Sequence, residues 1–298
     1  MDKCRMVLKV AKINFLQWKK NPRIVLSFLL AGVLCMMLCG KILDFISVYH
    51  TTVQAFEPFI WVFGDPESIM ISSLLLILLF ADMPFIHGET PYILLRCSRK
   101  IWLAGQLLYV MLTTLLYTSF TLVITCLLTV PYAFAGNKWS ETGAMLGYSG
   151  VGGQIALPAS VKAMETTRPF RCALIIFGLM LLYALLLAVL MMIFNLLGGR
   201  FLGVLSAIAV NLYGFFLNPG FFMELFSLPQ SVAYKANVAA GWLSPLNHAT
   251  YYMHNFGYDR LPRIWMSVCL FLGLLVILIL IGVYQAGKYE FHFVQTKE

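Results

Sequence analysis

Residues 85–109 read FIHGETPYILLRCSRKIWLAGQLLY and lie between two long apolar runs, one ending near Pro84 and the other beginning near Ile101. Glu89, Arg96, Arg99 and Lys100 are packed into the short span between those runs. Thr90 is placed to cap a short helix. Pro91 falls at its first position, where the missing N–H removes no helical bond. Residues 92–95 are mostly apolar, so the element is amphipathic and is expected to lie along a surface. Arg96-Cys97-Ser98-Arg99 follows, and Gly105-Gln106-Leu107-Leu108 then opens the next apolar run. Read alone, the stretch is a charged loop joining two membrane helices. The rest of the chain decides what more it is.

The chain has 298 residues, of which 60% are hydrophobic and 11% charged, with a mean hydropathy of +0.83. Soluble domains carry about 25% charged residues. So few charges cannot cover a water-soluble body of this size, which points to an all-α polytopic membrane protein. Barrel strands would alternate apolar and polar residues, and these runs do not. The net charge of +8 does not argue for nucleic acid, because the basic residues flank apolar runs and serve to orient the chain in a bilayer. Of the seven cysteines, Cys35, Cys39, Cys126 and Cys269 lie inside apolar runs. No CxxC pair occurs, so neither a disulfide framework nor a metal framework is expected. Lys9, Lys12, Lys19 and Lys20 interrupt any early apolar core, so no cleavable signal peptide is expected.

Residues 1–21 read as an amphipathic elbow helix. At 100° per residue, Arg5, Lys9, Lys12, Lys19 and Lys20 share one arc. Met6, Val7, Val10, Ala11, Ile13, Phe15 and Trp18 fill the opposite side, and Leu16 is the exception. A basic face opposite an aromatic-containing apolar face suits the headgroup layer. Asn21-Pro22 then breaks the helix. Residues 22–288 form a single six-helix membrane domain, with spans expected at about 23–43, 68–86, 101–130, 172–197, 201–222 and 264–286. Residues 289–298 are a charged tail. Residues 44–67 are a polar and aromatic connection, with Phe56, Phe59, Trp61 and Phe63 at the interface. Residues 131–171 contain GYSGVGGQ at 147–154, read as a flexible or re-entrant external loop. Residues 198–200 make a tight inner turn, and residues 223–262 are a second external stretch. More of the 21 lysines and arginines fall on the side of the N-terminus than opposite it, which favours both termini inside. Lys138, Lys162, Arg168 and Arg171 go against that bias.

The chemistry of the chain is sparse. It has no Walker A motif, no Gly-x-Ser-x-Gly and no HExxH. The five histidines are dispersed, and His248 and His254, six apart, do not share a helix face. Nothing supports an enzyme, and no cofactor is expected on this chain. Asp82 stands near the inner end of the second span. An acid within a membrane segment raises a functional hypothesis, although at this position it can simply reach headgroup water. Asn195, Asn211 and Asn218 are polar candidates for a substrate path, with inter-helix hydrogen bonding as their plainer role.

Taken together, the elbow, the six spans and the charged segment between the second and third spans resemble the permease subunits of type-2 ABC transporters. So does WLSPLNHATYY at residues 242–252, which resembles the Ser-Pro-Leu segment ahead of their last helix. Pro91 inside the coupling helix and the long 131–171 loop depart from that pattern. The resemblance implies that Glu89, Tyr92, Leu95, Arg96 and Arg99 dock on a separate ABC ATPase subunit, which binds ATP and Mg. It also implies a second permease copy or a homologous permease as partner, and a multi-pass place in a cell membrane, the bacterial cytoplasmic membrane. The activity implied is ATP-driven export of a hydrophobic or amphipathic cargo such as a peptide, lipid or drug. The competing reading is an ion- or proton-coupled secondary transporter. The inside-facing assignment is open to direct test. Cysteines introduced within 44–67 and 223–262 should react with a membrane-impermeant thiol reagent in intact cells. Cysteines at residues 96–100 should stay unlabelled, and labelling there would overturn the orientation.

Overall fold

The computed structural model of the chain describes residues 3–86, 90–149, 151–154, 159–227 and 229–289. It is helical apart from a two-residue parallel pairing of β1 (Val53–Gln54) with β2 (Ala133–Phe134). Helix α1 (Lys3–Leu16) runs into a 3-10 turn at Gln17–Lys20. Asn21 ends the turn, and its side chain accepts from the Arg23 amide at 3.1 Å. That contact caps α2 (Pro22–Tyr49), whose first residue is a proline.

After β1 come α3 (Glu57–Phe63) and α4 (Pro66–Phe80), which meet at 85°. Asp65 starts α4 by accepting from the amides of Glu67 and Ser68. Then follow α5 (Thr90–Arg96), α6 (Arg99–Leu128), α7 (Glu141–Tyr148), α8 (Val151–Gln154) and α9 (Val161–Thr166). The last group is α10 (Pro169–Gly198), α11 (Arg200–Phe216), α12 (Pro219–Leu225), α13 (Ala233–Leu243), α14 (Pro245–Ala249) and α15 (Ile264–Lys288). Helices α2, α6, α10 and α15 are each long and apolar enough to cross a membrane. Their 25–30 residues give about 37–45 Å, against a hydrocarbon core of about 30 Å. Counting the bent pairs α3–α4 and α11–α12 as one span each brings the number to six. The chain has the build of a multi-pass membrane protein.

Three expectations change in detail. The second span stops as a helix at Phe80 rather than running to Ile86. The fifth is broken at Leu217 and Asn218: Asn218 is extended, as a residue before proline prefers, and α12 leaves at 71°. The glycine-rich GYSGVGGQ stretch, expected as a flexible or re-entrant loop, is largely helical where it is described, because α7 runs through Tyr148 and α8 takes up Val151–Gln154. The Ser140 hydroxyl accepts from the Gly143 amide at 3.0 Å and so starts α7.

The described residues of 129–171 belong to a packed cap at the end of the bundle away from α5. Glu57, fully buried, accepts from the Gln54 amide at 3.1 Å and from the Ser140 amide at 2.7 Å. The Ser140 hydroxyl donates to it as well. The Trp139 indole donates to the Thr167 carbonyl at 2.9 Å, and Lys162 pairs with Asp259 at 2.9 Å. Elements of four to eight residues have too little helical signal of their own. These contacts hold them.

Helix α10 is the centre. It packs against α3, α4, α6, α11, α14 and α15, and residues along its whole length are buried. A helix that is apolar all round belongs in the middle of a bundle. Its inner half meets α11 closely at Gly203, where a Cβ would overlap the Asn195 side chain and lie 2.5 Å from the Met191 carbonyl oxygen. A side chain there must push two backbones apart. Gly203→Leu should therefore cost about 1–3 kcal/mol of stability by overpacking. Gly40→Leu, at a position with open space, should cost far less. Thermal melting of both variants in detergent checks this, and equal losses would remove the close α10–α11 approach from the account.

Candidate coupling site on the α5 face

The break after α4 builds this face. Helix α4 ends with the Ala81 amide on the Ile77 carbonyl at 2.8 Å and the Met83 amide on the Phe80 carbonyl at 3.0 Å. The chain then turns out of helical register, which leaves the carbonyls of Ala81 and Met83 without helical donors. Asn195 of α10 supplies them: its amide nitrogen donates to Ala81 at 3.0 Å and also to Met83. Met83 and Phe85 are buried, and the Phe85 ring lies edge-on to Tyr109 of α6 at 5.6 Å. Residues 81–85 are thus fixed to α10 and α6.

Asp82 points the other way. One carboxylate oxygen meets Arg23 at the start of α2 at 2.8 Å, and the other meets Arg200 at the start of α11 at 3.4 Å. Three helix ends are gathered by one acid. Both arginines are more than half exposed, so each pair is worth about 0–1 kcal/mol. The pairs set orientation rather than stability.

Helix α5 presents two large apolar side chains outward, Tyr92 at 70% and Leu95 at 85% exposure. Ile93 and Leu94 turn inward and pack on the inner core. Arg96 is exposed. Arg99, grouped by sequence with the docking charges, also has a partner within the chain. Its guanidinium donates to the Gly287 carbonyl at 2.6 Å in the last turn of α15, a favourable place for a cation. Glu89 lies outside the described residues.

The elbow packs more than its basic face implies. Val10, Ala11 and Asn14 of α1 are buried against α6. The Asn14 amide donates to Gln106 Oε1 at 2.8 Å, and the Trp18 indole donates to the Tyr109 hydroxyl at 2.9 Å. On the apolar side of α1, Val10 and Ala11 are thus covered by protein, while Met6, Val7 and Ile13 stay half-buried. Sequence reading passed over Asn14 and took Gln106 only as part of the run opening the next helix, although a polar residue on an otherwise apolar face is a signal that a partner exists.

The remaining candidates are structural in their contacts. Asn211 is fully buried. Its Oδ1 accepts from the Tyr183 hydroxyl of α10 at 3.0 Å and lies 2.6 Å from the Ser73 hydroxyl of α4; its amide donates to the Ala207 carbonyl at 3.1 Å. Tyr117 of α6 donates to the Ser72 carbonyl at 2.8 Å. Together these bonds join α4, α6, α10 and α11. Asn218 caps α12 by accepting from the Phe221 amide at 2.8 Å. Among the described residues no group of three or more His, Cys, Asp or Glu is placed to hold a metal ion. Comparison with family models, with curated proteins and with solved structures finds no match to this chain.

The Asn14–Gln106 pair gives a test of how the elbow is held. Asn14→Leu alone leaves Gln106 buried without its donor, which costs about 1–3 kcal/mol, whereas changing both partners to leucine is close to neutral. Protease protection of residues 1–21 should fall in either single variant and recover in the double. Additive losses would mean that this bond does not hold the elbow on α6.

Proposed function

We propose that the chain is the membrane-spanning permease subunit of an ATP-driven exporter of the type-2 ABC kind, with six spans and both termini inside. A separate ATPase subunit, carrying ATP and Mg, docks on the face of α5. The observation that carries this reading is the exposed pair Tyr92 and Leu95 on a short helix whose flanks are tied to the bundle. Asn195 holds residues 81–83 before it, Arg99 bonds α15 after it, and Ile93 and Leu94 pack its inner side on the core. An element built this way passes a push on α5 to α4, α6 and α10 instead of absorbing it. ATP binding to the partner would then bias one of two arrangements of the spans. A second copy of the chain, or a homologous permease, completes the path across the bacterial cytoplasmic membrane. The apolar build of the bundle favours a hydrophobic or amphipathic cargo.

The secondary-transporter reading draws on the broken pairs α3–α4 and α11–α12, since interrupted helices mark binding sites in such proteins. Against it, the charged Asp82 sits among helix ends rather than deep in the bundle, and the buried Asn211 cluster is neutral and internally bonded.

Docking supplies the test. Burying Leu95 at an interface is worth about 1.5–3 kcal/mol, and a rim charge about 0–1 kcal/mol. Leu95→Asp should therefore weaken co-purification with the proposed ATPase partner by at least about tenfold. Arg96→Ala should change it only slightly. The spans should stay folded in both. An ATPase that binds and hydrolyses ATP equally well with Leu95→Asp would end the coupling reading and bring the secondary transporter forward.

A further inference from the structure

Two histidines that are six residues apart in sequence meet at one hydroxyl. His248 on α14, His254 in the turn after it, and Ser267 in the first turn of α15 are all buried. Ser267 Oγ lies 2.7 Å from His248 Nδ1 and 2.8 Å from His254 Nε2. The opposite nitrogens are fixed by backbone carbonyls, which only accept. His248 Nε2 is 3.0 Å from the Trp242 carbonyl. His254 Nδ1 is 2.9 Å from the Thr250 carbonyl and 3.2 Å from that of Tyr251. Those two nitrogens must carry protons. In neutral rings the two nitrogens facing Ser267 are then bare lone pairs. The hydroxyl has a single proton to give and two acceptors waiting for it. One contact is left as lone pair against lone pair at hydrogen-bond distance.

One added proton completes the set. A protonated ring donates to Ser267 Oγ, Ser267 donates to the other ring, and both outer N–H groups keep their carbonyls. A second proton puts two buried cations around one oxygen. We propose that His248, Ser267 and His254 form a proton-sensing latch on the outer segment, in which one proton closes the array and a second releases it. The inference goes beyond the permease reading and does not rest on it.

The surroundings leave the pair to itself. On its own turn Tyr251 is held by Thr167, and the neighbouring Tyr252 hydroxyl donates to the Ile60 carbonyl. From α15, Phe271 lies edge-on to His248 at 6.4 Å, and Tyr183 of α10 packs on Phe271. From α13, Trp242 gives its carbonyl and ring, while Lys235 lies over Tyr234. On the loop before α15, Asp259 pairs with Lys162, and Arg260 and Arg263 flank it. On α4, Asp65 caps its helix, and Glu67 lines a pocket with Asn247 and Met253.

Burial lowers His248 below its usual range and pushes His254 down to about 4, with the His248 charge adding to the second effect. In an opened segment both rings would titrate near the ordinary 6.5 and bind two protons. Below the ordinary range the open segment binds two protons while the closed array binds fewer. The open segment takes the second proton that the closed array refuses, so acid favours opening, and the closed form is most favoured where the array holds one proton.

The test uses the full chain in lipid nanodiscs. Nitrogen-15 NMR of the histidines should show opposite neutral tautomers at pH 8, Nε2–H in His248 and Nδ1–H in His254. It should then show one proton shared by the pair as pH falls. Hydrogen exchange of residues 245–267, corrected for intrinsic rates, should report opening that grows about tenfold per pH unit once the array holds one proton and the open segment two. Ser267→Ala removes the shared hydroxyl and should make that dependence steeper, and Ser267→Thr should restore it. Two rings titrating independently in the parent, or opening that ignores pH, would overturn the proposal.

Discussion

The side-chain amide of Asn195 donates to the carbonyls of Ala81 and Met83, and the geometry of the inner face depends on that contact. Helix α4 cannot end inside an apolar bundle unless something bonds the carbonyls it leaves behind, because an unsatisfied backbone group in such surroundings costs several kcal/mol. Asn195 can reach them because α10 is central and because Gly203 has no side chain to keep α11 away. With that end of α4 fixed, Phe85 falls onto Tyr109. The chain can then turn out to form α5 with Tyr92 and Leu95 facing outward. The Asp82 pairs with Arg23 and Arg200 are weaker, and they align three helix ends around the same point.

The two ends of the bundle are built differently. The α5 end exposes an apolar pair, Tyr92 and Leu95. The opposite end covers itself: Glu57 and Ser140 tie α3 to α7, Lys162 reaches Asp259, and His248, Ser267 and His254 tie α14 to α15. Helix α10 runs between the two ends and packs against α4 at the α5 end and α3 at the opposite one. In the permease reading, this gives a mechanical path from the ATPase face to the far cap, where Glu57 is buried.

Much of this was legible in the sequence. Apolar runs gave the helical membrane class, the Asn21-Pro22 elbow and the placement of α2, α6, α10 and α15, because a long apolar run has few other ways to bury its backbone. The surface exposure of α5 followed from its mixed charges and leucines. The rest depended on tertiary contacts that leave no periodic signal. The short helices α7, α8 and α9 stand by packing and capping, so a glycine-rich run looked like open loop. Helix α10 was not distinguishable as the centre, since lipid and protein both accept leucine. Asn14 and Gln106 lie 92 residues apart, and the two histidines six apart meet only because Ser267 comes in from another helix.

The central claim is that Asn195 makes the α5 segment and the inner end of α10 move as one body. The measurement that reaches it most directly is the distance distribution between spin labels at Tyr92 and Leu197, both exposed. It is taken in a background whose other accessible cysteines have been replaced. The account predicts one narrow distribution in the parent. It predicts a broad one in Asn195→Ala, where the Ala81 and Met83 carbonyls lose their donor and the end of α4 comes away from α10. The same narrow distribution in both proteins would contradict it.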